Sequence, residues 1–307
     1  MITGIRSNKL IRDKIAFIRA IINESLVSVP SSAPKFVFLC GANKGPNIPS
    51  ERRKALCEFA QKRLPGVCFF LAEKAFETLI KEGHKGNILD VEHLISEFSD
   101  YIIIVLESTS AFAELGAFAH KELRDKLIVI NDSKYKDTNS FIRLGPIKAI
   151  EEAKGSERVI YYGMSDDGVE RRDSIGDVYL PVHNLLKNRR KILKTGALSL
   201  ELCNPSEKFD KNAAMILHDL IYLTGPVLYK ELIEILKLIF GEDKTFNRVQ
   251  QLLAILVSFQ SISRDDKGRY RSSMRETYYH YKCDMTGAIS VFRNYILKHH
   301  PERFVAS

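Results

Sequence analysis

The stretch Tyr101 to Asp132, YIIIVLESTSAFAELGAFAHKELRDKLIVIND, constrains the fold more than any other. It opens with Tyr101-Ile-Ile-Ile-Val-Leu106 and closes with Lys126-Leu-Ile-Val-Ile130. Both runs are rich in β-branched residues and too short to cross a membrane, so they read as strands buried on both faces. Between them, Ala113 to Leu123 carries helix formers with an apolar stripe at Leu115, Phe118, Ala119 and Leu123, which predicts a crossover helix. The two strands are therefore expected to be parallel, with ligands beyond their carboxyl ends. Glu107, Ser108, Ser110 and the start of the helix fall there, with Glu114 in its first turn. A first-turn carboxylate also complements the helix dipole, and an isolated glutamate would be read that way.

The same alternation extends over residues 31–200. Lys35–Cys40, Val67–Leu71 and Arg158–Tyr162 are further strand candidates, and helical patterns cover 51–64, 75–82, 88–98, 142–153 and 180–194. Five strands alternating with helices predict an α/β domain with an open, mostly parallel sheet. Gly41-Ala-Asn-Lys-Gly-Pro46 follows the first strand, and its small residues let a ligand approach the backbone. Its spacing is not that of a phosphate-binding P-loop. Residues 1–30 form a separate amphipathic segment, with Leu10, Ile11, Ile15, Ile18, Ile21 and Ile22 on one side, expected to pack on the sheet or a partner chain.

Composition shifts at 200–210, and residues 205–307 form a second, small α+β domain. Three helical patterns, 211–223, 228–240 and 246–259, precede Ile262 to Arg271, which carries Asp-Lys-Gly between basic flanks, and an alternating run at 277–282. Three helices followed by a basic hairpin predict a winged helix that binds DNA. Arg264, Lys267, Arg269 and Arg271 would lie on the wing, and Arg248 near the start of the third helix. That helix is strongly apolar, which leaves a protein-binding winged helix open. A further basic cluster at Lys187-Asn-Arg-Arg-Lys191 reads as a solvated helix face or a nucleic-acid contact.

The formal net charge of +8 favours an acidic partner. Five cysteines without a CxxC pair, and histidines without ligand spacing, suggest neither a disulfide scaffold nor a metal site. The absence of a signal-like or spanning apolar segment leads us to expect a cytoplasmic protein without a membrane anchor.

Ser110-Ala-Phe-Ala-Glu-Leu-Gly116 resembles the loop of nucleoside 2-deoxyribosyltransferases, in which a serine or glycine loop runs into Glu-(Leu/Ile)-Gly. The loop here is one residue longer before the glutamate. The resemblance implies a flavodoxin-like sheet, and that Glu114 attacks or stabilises the sugar's anomeric carbon, with Asp90 and Glu107 as orienting carboxylates. Gly41, Asn43, Ser108 and Ser110 would contact the nucleotide; Asp90 reads equally well as a helix-capping residue. With the winged-helix pattern, the whole chain resembles the effectors of bacterial retron anti-phage systems. That resemblance implies a complex with the retron reverse transcriptase and its branched, RNA-linked single-stranded DNA, which restrain a toxic N-glycosidase. NAD or another nucleotide would be substrate, no cofactor is implied, and an oligomer is possible. The alternative is a non-catalytic, nucleotide-sensing, DNA-binding regulator.

Overall fold

The computed structural model describes residues 3–30, 33–45, 47–81, 87–165, 173–187 and 197–304. The chain divides into two compact units, one of residues 34–77 and 85–191, the other of residues 1–33, 78–84 and 192–307. Most of the basic cluster at 187–191 lies outside the described residues.

The first unit is an α/β layer structure around a five-stranded sheet. In chain order it runs β1 (Lys35–Cys40), α1 (Glu51–Arg63), β2 (Val67–Leu71), α2 (Ala72–Lys81), α3 (Ile88–Phe98), β3 (Tyr101–Val105), α4 (Thr109–Phe118), β4 (Leu127–Asp132), α5 (Lys148–Lys154), β5 (Val159–Tyr162) and α6 (Tyr179–Lys187). Every strand pairing is parallel and the spatial order is β2-β1-β3-β4-β5. The parallel pairing is the one the alternation predicted, and the order is flavodoxin-like. β3 and β4 are buried along their whole length, as continuous β-branched runs require when helices cover both faces. Asp100 sets the register between the first two central strands: its Oδ2 accepts from Phe36 N (2.8 Å) and its N–H donates to Phe36 O (2.8 Å).

Two elements differ from the sequence reading. The crossover helix starts at Thr109, not Ala113, because the Ser108 hydroxyl accepts from Ala111 N (3.2 Å) and makes Ser108 the N-cap. Glu114 therefore lies in the second turn, beyond the reach of the helix dipole's favourable end. Farther on, Pro146 has no N–H to give a regular helix, and a wide π turn over Arg143–Ile147 leads into α5.

The second unit contains α7 (Lys211–Thr224), β6 (Val227–Leu228), α8 (Tyr229–Phe240), α9 (Val249–Ser258), β7 (Ile262–Arg264), β8 (Arg269–Ser272) and α10 (Thr286–His299). The three strands form an antiparallel sheet in the order β7-β8-β6. Its hairpin turns at Asp265–Gly268, where Asp265 Oδ1 accepts from Lys267 N (3.0 Å) and Arg269 N (2.9 Å), and Gly268 has φ +74°. The run at 277–282 is strand only at His280–Tyr281, which pairs antiparallel with Val27–Ser28. The rest of it is held by Asp219 on α7, which accepts from Tyr278 N (2.6 Å), Tyr279 N (3.0 Å) and Tyr281 Oη (3.0 Å).

The amphipathic helix Lys9–Asn23 belongs to this second unit, which corrects the expectation that it packs on the five-stranded sheet. It rests on α8 and α10, and Ile11, Ile15, Ile18, Ile21 and Ile22 are buried. Spacing of three and four residues places these isoleucines on one stripe, matched by the apolar face of α8 at Leu232, Ile235, Leu236 and Ile239. Arg6 adds ion pairs to Glu234 and Glu242.

Candidate active site

In a 2-1-3-4-5 sheet the strand order reverses between β1 and β3, and the carboxyl ends of those strands form the natural binding place. The chain leaves β1 at Gly41, whose φ of +151° favours glycine. A Cβ there would stand 3.0 Å from both Arg53 Cδ and Glu107 Oε1, so the missing side chain lets both residues approach the backbone.

Glu107 closes the loop onto β3. Its Oε1 accepts from Ala42 N (3.1 Å) and Ser50 Oγ (2.5 Å), and its Oε2 accepts from Arg52 Nη1 (3.1 Å). Arg52 continues to Asp173 Oδ2 (2.6 Å). With its carboxylate 3% exposed and both oxygens engaged, Glu107 orients the loop from beneath.

Beside this network lies a second cluster built from five elements: Cys40 at the end of β1, Arg53 on α1, Glu73 on α2, Glu92 on α3 and Glu114 on α4. Arg53 donates from Nη1 to Glu73 Oε1 (2.5 Å) and from Nη2 to Glu73 Oε2 (3.0 Å). The same guanidinium donates to Asn43 Oδ1 (2.6 Å) and Leu39 O (2.9 Å). Although burial opposes it, the bond to Arg53 lowers the Glu73 carboxyl below its ordinary value. Arg53 is 1% exposed, and its charge is committed to Glu73.

Glu114 has no such partner. Among the described residues its Oε2 is buried without a hydrogen bond, and burial, then the neighbouring charge of Glu92, pushes its carboxyl up to about 8. Glu92 is raised in turn by burial and by Glu73. Burial and the same glutamates push the Cys40 thiol well up, which leaves it neutral and unreactive. Three carboxylates thus share one guanidinium. Such a place disfavours a second negative charge and favours a positive one.

The remaining sequence candidates are placed as follows. Ser108 caps α4, and its Oγ lies 2.9 Å from Ser110 Oγ, so both hydroxyls stand one to two turns ahead of Glu114. Asp90 is exposed and forms a capping box with Asn87, accepting from Asn87 N (3.3 Å) while Asn87 Oδ1 accepts from Asp90 N (2.9 Å). Its capping reading is the one the geometry carries, and Glu92, two residues on, faces Glu114 instead. Asp90→Ala is expected to cost about 0.5–1 kcal/mol of stability, measured by denaturant unfolding. A loss of 3 kcal/mol or more on the order of a buried charge would show a role beyond the cap.

Sequence reasoning missed Arg53, Glu73 and Glu92. Glu92 left one signal, a carboxylate between Val91 and Ile95 on the inward stripe of an amphipathic helix. The tandem Arg52-Arg53 after a capping serine was a second, since both are buried.

In the second unit, Lys267 is exposed at the hairpin turn, and Arg264 lies over the Tyr270 ring at 5.5 Å. Arg248 stacks 3.5 Å from the Phe209 ring centroid. Arg271 is exposed and donates to Arg303 O (2.8 Å). Arg269 is 6% exposed and pairs with Asp265 at 2.5 Å. It serves the hairpin's own geometry and presents little to a partner, which corrects its placement among the wing's contact residues.

Fold and cluster together define a flavodoxin-like α/β protein with an acidic centre at the sheet's switch point, joined to a small helical unit with a three-stranded sheet. A family model described as STM3845 retron effector protein matches residues 49–264, and the chain belongs to that retron effector family. It is similar to two Escherichia coli proteins. One, named "Retron Ec73 putative ribosyltransferase/DNA-binding protein", is 39% identical over 99% of this chain and 98% of its own. The other, named "Retron Ec86 putative ribosyltransferase/DNA-binding protein", is 29% identical over 79% of this chain and 78% of its own. Among the described residues no helix is long and apolar enough to cross a membrane.

Proposed function

We propose that this retron effector cleaves the N-glycosidic bond of a nucleotide, with NAD as the best-matched substrate, and is toxic when released from its retron partners. The observation that carries the reading is the pair Glu114 and Glu92, buried beside a guanidinium that Glu73 already claims. Breaking a glycosidic bond sends the bonding pair to the base and leaves positive charge on the sugar's anomeric carbon. An ionised Glu114 stabilises that charge or closes on it as a glycosyl ester. Water then adds to the carbon and gives its proton to a carboxylate. The nicotinamide of NAD suits this arrangement, because its ring is cationic when bound and leaves neutral, with no proton needed from an acid. The two Escherichia coli relatives, named "putative ribosyltransferase/DNA-binding protein", support this class of chemistry.

The test is nicotinamide release by purified protein as a function of pH. Glu114 acts ionised, and its carboxyl is held up to about 8. The rate constant kcat/KM should therefore rise tenfold per pH unit from about pH 6 and level off above about pH 8. A flat profile would remove Glu114 from the nucleophile's role.

We read the second unit as a winged helix on its element order: helix, strand, two helices, then a hairpin whose strands join the first. In this reading the reverse transcriptase and the branched RNA-linked DNA bind the effector and hold an inactive arrangement. A partner preferring that arrangement by about 3 kcal/mol shifts the balance more than a hundredfold. Turnover measured with saturating reverse transcriptase and retron DNA should fall accordingly; a rise would make the complex the active form.

A further inference from the structure

The second unit contains a concavity of about 570 Å³ away from the hairpin turn, between the end of α7, the exit of β8, α10 and Phe304. Arg271, Arg275 and Arg293 line it, and among the described residues none of its walls carries a carboxylate. Arg275 and Arg293 are exposed, and neither has an acidic partner among the described residues. Three guanidinium groups held together without a counter-charge repel one another, so the place is suited to an anion.

Its floor is apolar rather than ionic. Met274, Leu297 and the Phe304 ring line it, with Leu297 53% and Phe304 36% exposed. The walls are also pinned. Arg303 donates to both oxygens of Glu231 at 2.8 Å and to Pro226 O at 3.3 Å, which fixes the residue before Phe304. The Arg303 carbonyl accepts from Arg271 (2.8 Å), and Tyr222 Oη donates to the Arg275 carbonyl (3.0 Å). A preformed pocket with cationic walls and an exposed ring matches a ligand that is anionic at one end and flat and apolar at the other.

We propose that this pocket holds one nucleotide of a single-stranded nucleic acid, its phosphates on Arg275 and Arg293 and its base against Phe304. The site deepens the nucleic-acid reading of this unit and rests on it. Single-stranded material is favoured over duplex because a base must offer a free face to stack on the ring, and duplex bases are already stacked. Lys267 and Arg264, exposed at the hairpin, are not among the residues that line the pocket.

The experiment is fluorescence anisotropy of the full chain with a labelled short oligothymidylate and with a hairpin duplex, each over a salt series. R275S/R293S should weaken oligothymidylate binding about tenfold or more and flatten the logarithmic salt slope by about 1.4, at roughly 0.7 per phosphate contact on a single strand. The charge-preserving R275K/R293K should keep the wild-type slope. Phe304→Ala should weaken binding about tenfold with no change in slope, because stacking releases no counterion. Wild-type affinity for oligothymidylate in R275S/R293S and in Phe304→Ala would overturn the site. Binding of duplex alone by the wild type would overturn it while leaving the unit's nucleic-acid role intact; binding of neither would overturn both.

Discussion

Glu114→Gln is expected to lower base release by about three to four orders of magnitude, the usual consequence of removing a single essential group from a covalent or charge-stabilising mechanism. The substitution keeps size and shape and removes only the ability to ionise. Stability should move the other way. Glu114 sits at about 8 in the folded protein against an ordinary 4.5, so between those values the folded chain holds a proton that the unfolded chain has released. Its contribution to stability is complete below about 4.5 and is lost as pH rises to about 8. Glutamine carries no such dependence. The variant should therefore melt above the wild type by several degrees near pH 8, with the gap closing towards about pH 5. Full activity in the variant would remove Glu114 from the chemistry. An inactive variant that melts below the wild type at every pH would assign the loss to structure.

The second large effect is expected from Arg53→Ala. One buried guanidinium holds Glu73, Asn43 and the carbonyl of Leu39, and removing it leaves the Glu73 carboxylate in a low-dielectric place without its partner. Breaking a buried pair from one side costs about 3–5 kcal/mol, measured as a lowered denaturant midpoint. Glu73→Gln in the same background should recover part of that loss, because the uncompensated charge is then gone. Chemistry should shift as well. Arg53 is the neighbour that draws the Glu114 carboxyl down, so its removal moves the rising limb of the rate profile to higher pH. A variant with wild-type stability and an unmoved limb would mean that the cluster does not act as one electrostatic unit.

The sheet was legible because its strands are continuous apolar runs separated by helix-length patterns, and buried parallel strands have few other ways to be written. The crossover rule implied parallel strands, and the order 2-1-3-4-5 came only with the structure. Glu114 was singled out by the words around it, and the structure adds its burial beside Glu92. Its partners were not, because Arg53, Glu73 and Glu92 come from three helices distant in sequence and meet only when the sheet aligns the helix ends. Helix boundaries failed for a local reason: Ser108 breaks the strand pattern and caps the helix at once, and a reading from apolar periodicity starts the helix too late. Arg269 misled for the opposite reason, since a basic residue on a hairpin looks like a contact until Asp265 is seen across the turn.

The pairing of Lys9–Asn23 with α8 and α10 has a consequence for the order of events on the ribosome. Lys9–Asn23 is made before the helices that cover its isoleucines, which follow about 205 to 275 residues later, a wait of roughly ten to fifty-five seconds at ordinary elongation rates. During that wait the complete α/β unit emerges and has every strand it needs, while the second unit still lacks most of its core. A chain interrupted between the two would display a row of isoleucines on an amphipathic helix, a mark for proteases and chaperones. Premature termination then yields a fragment prone to removal.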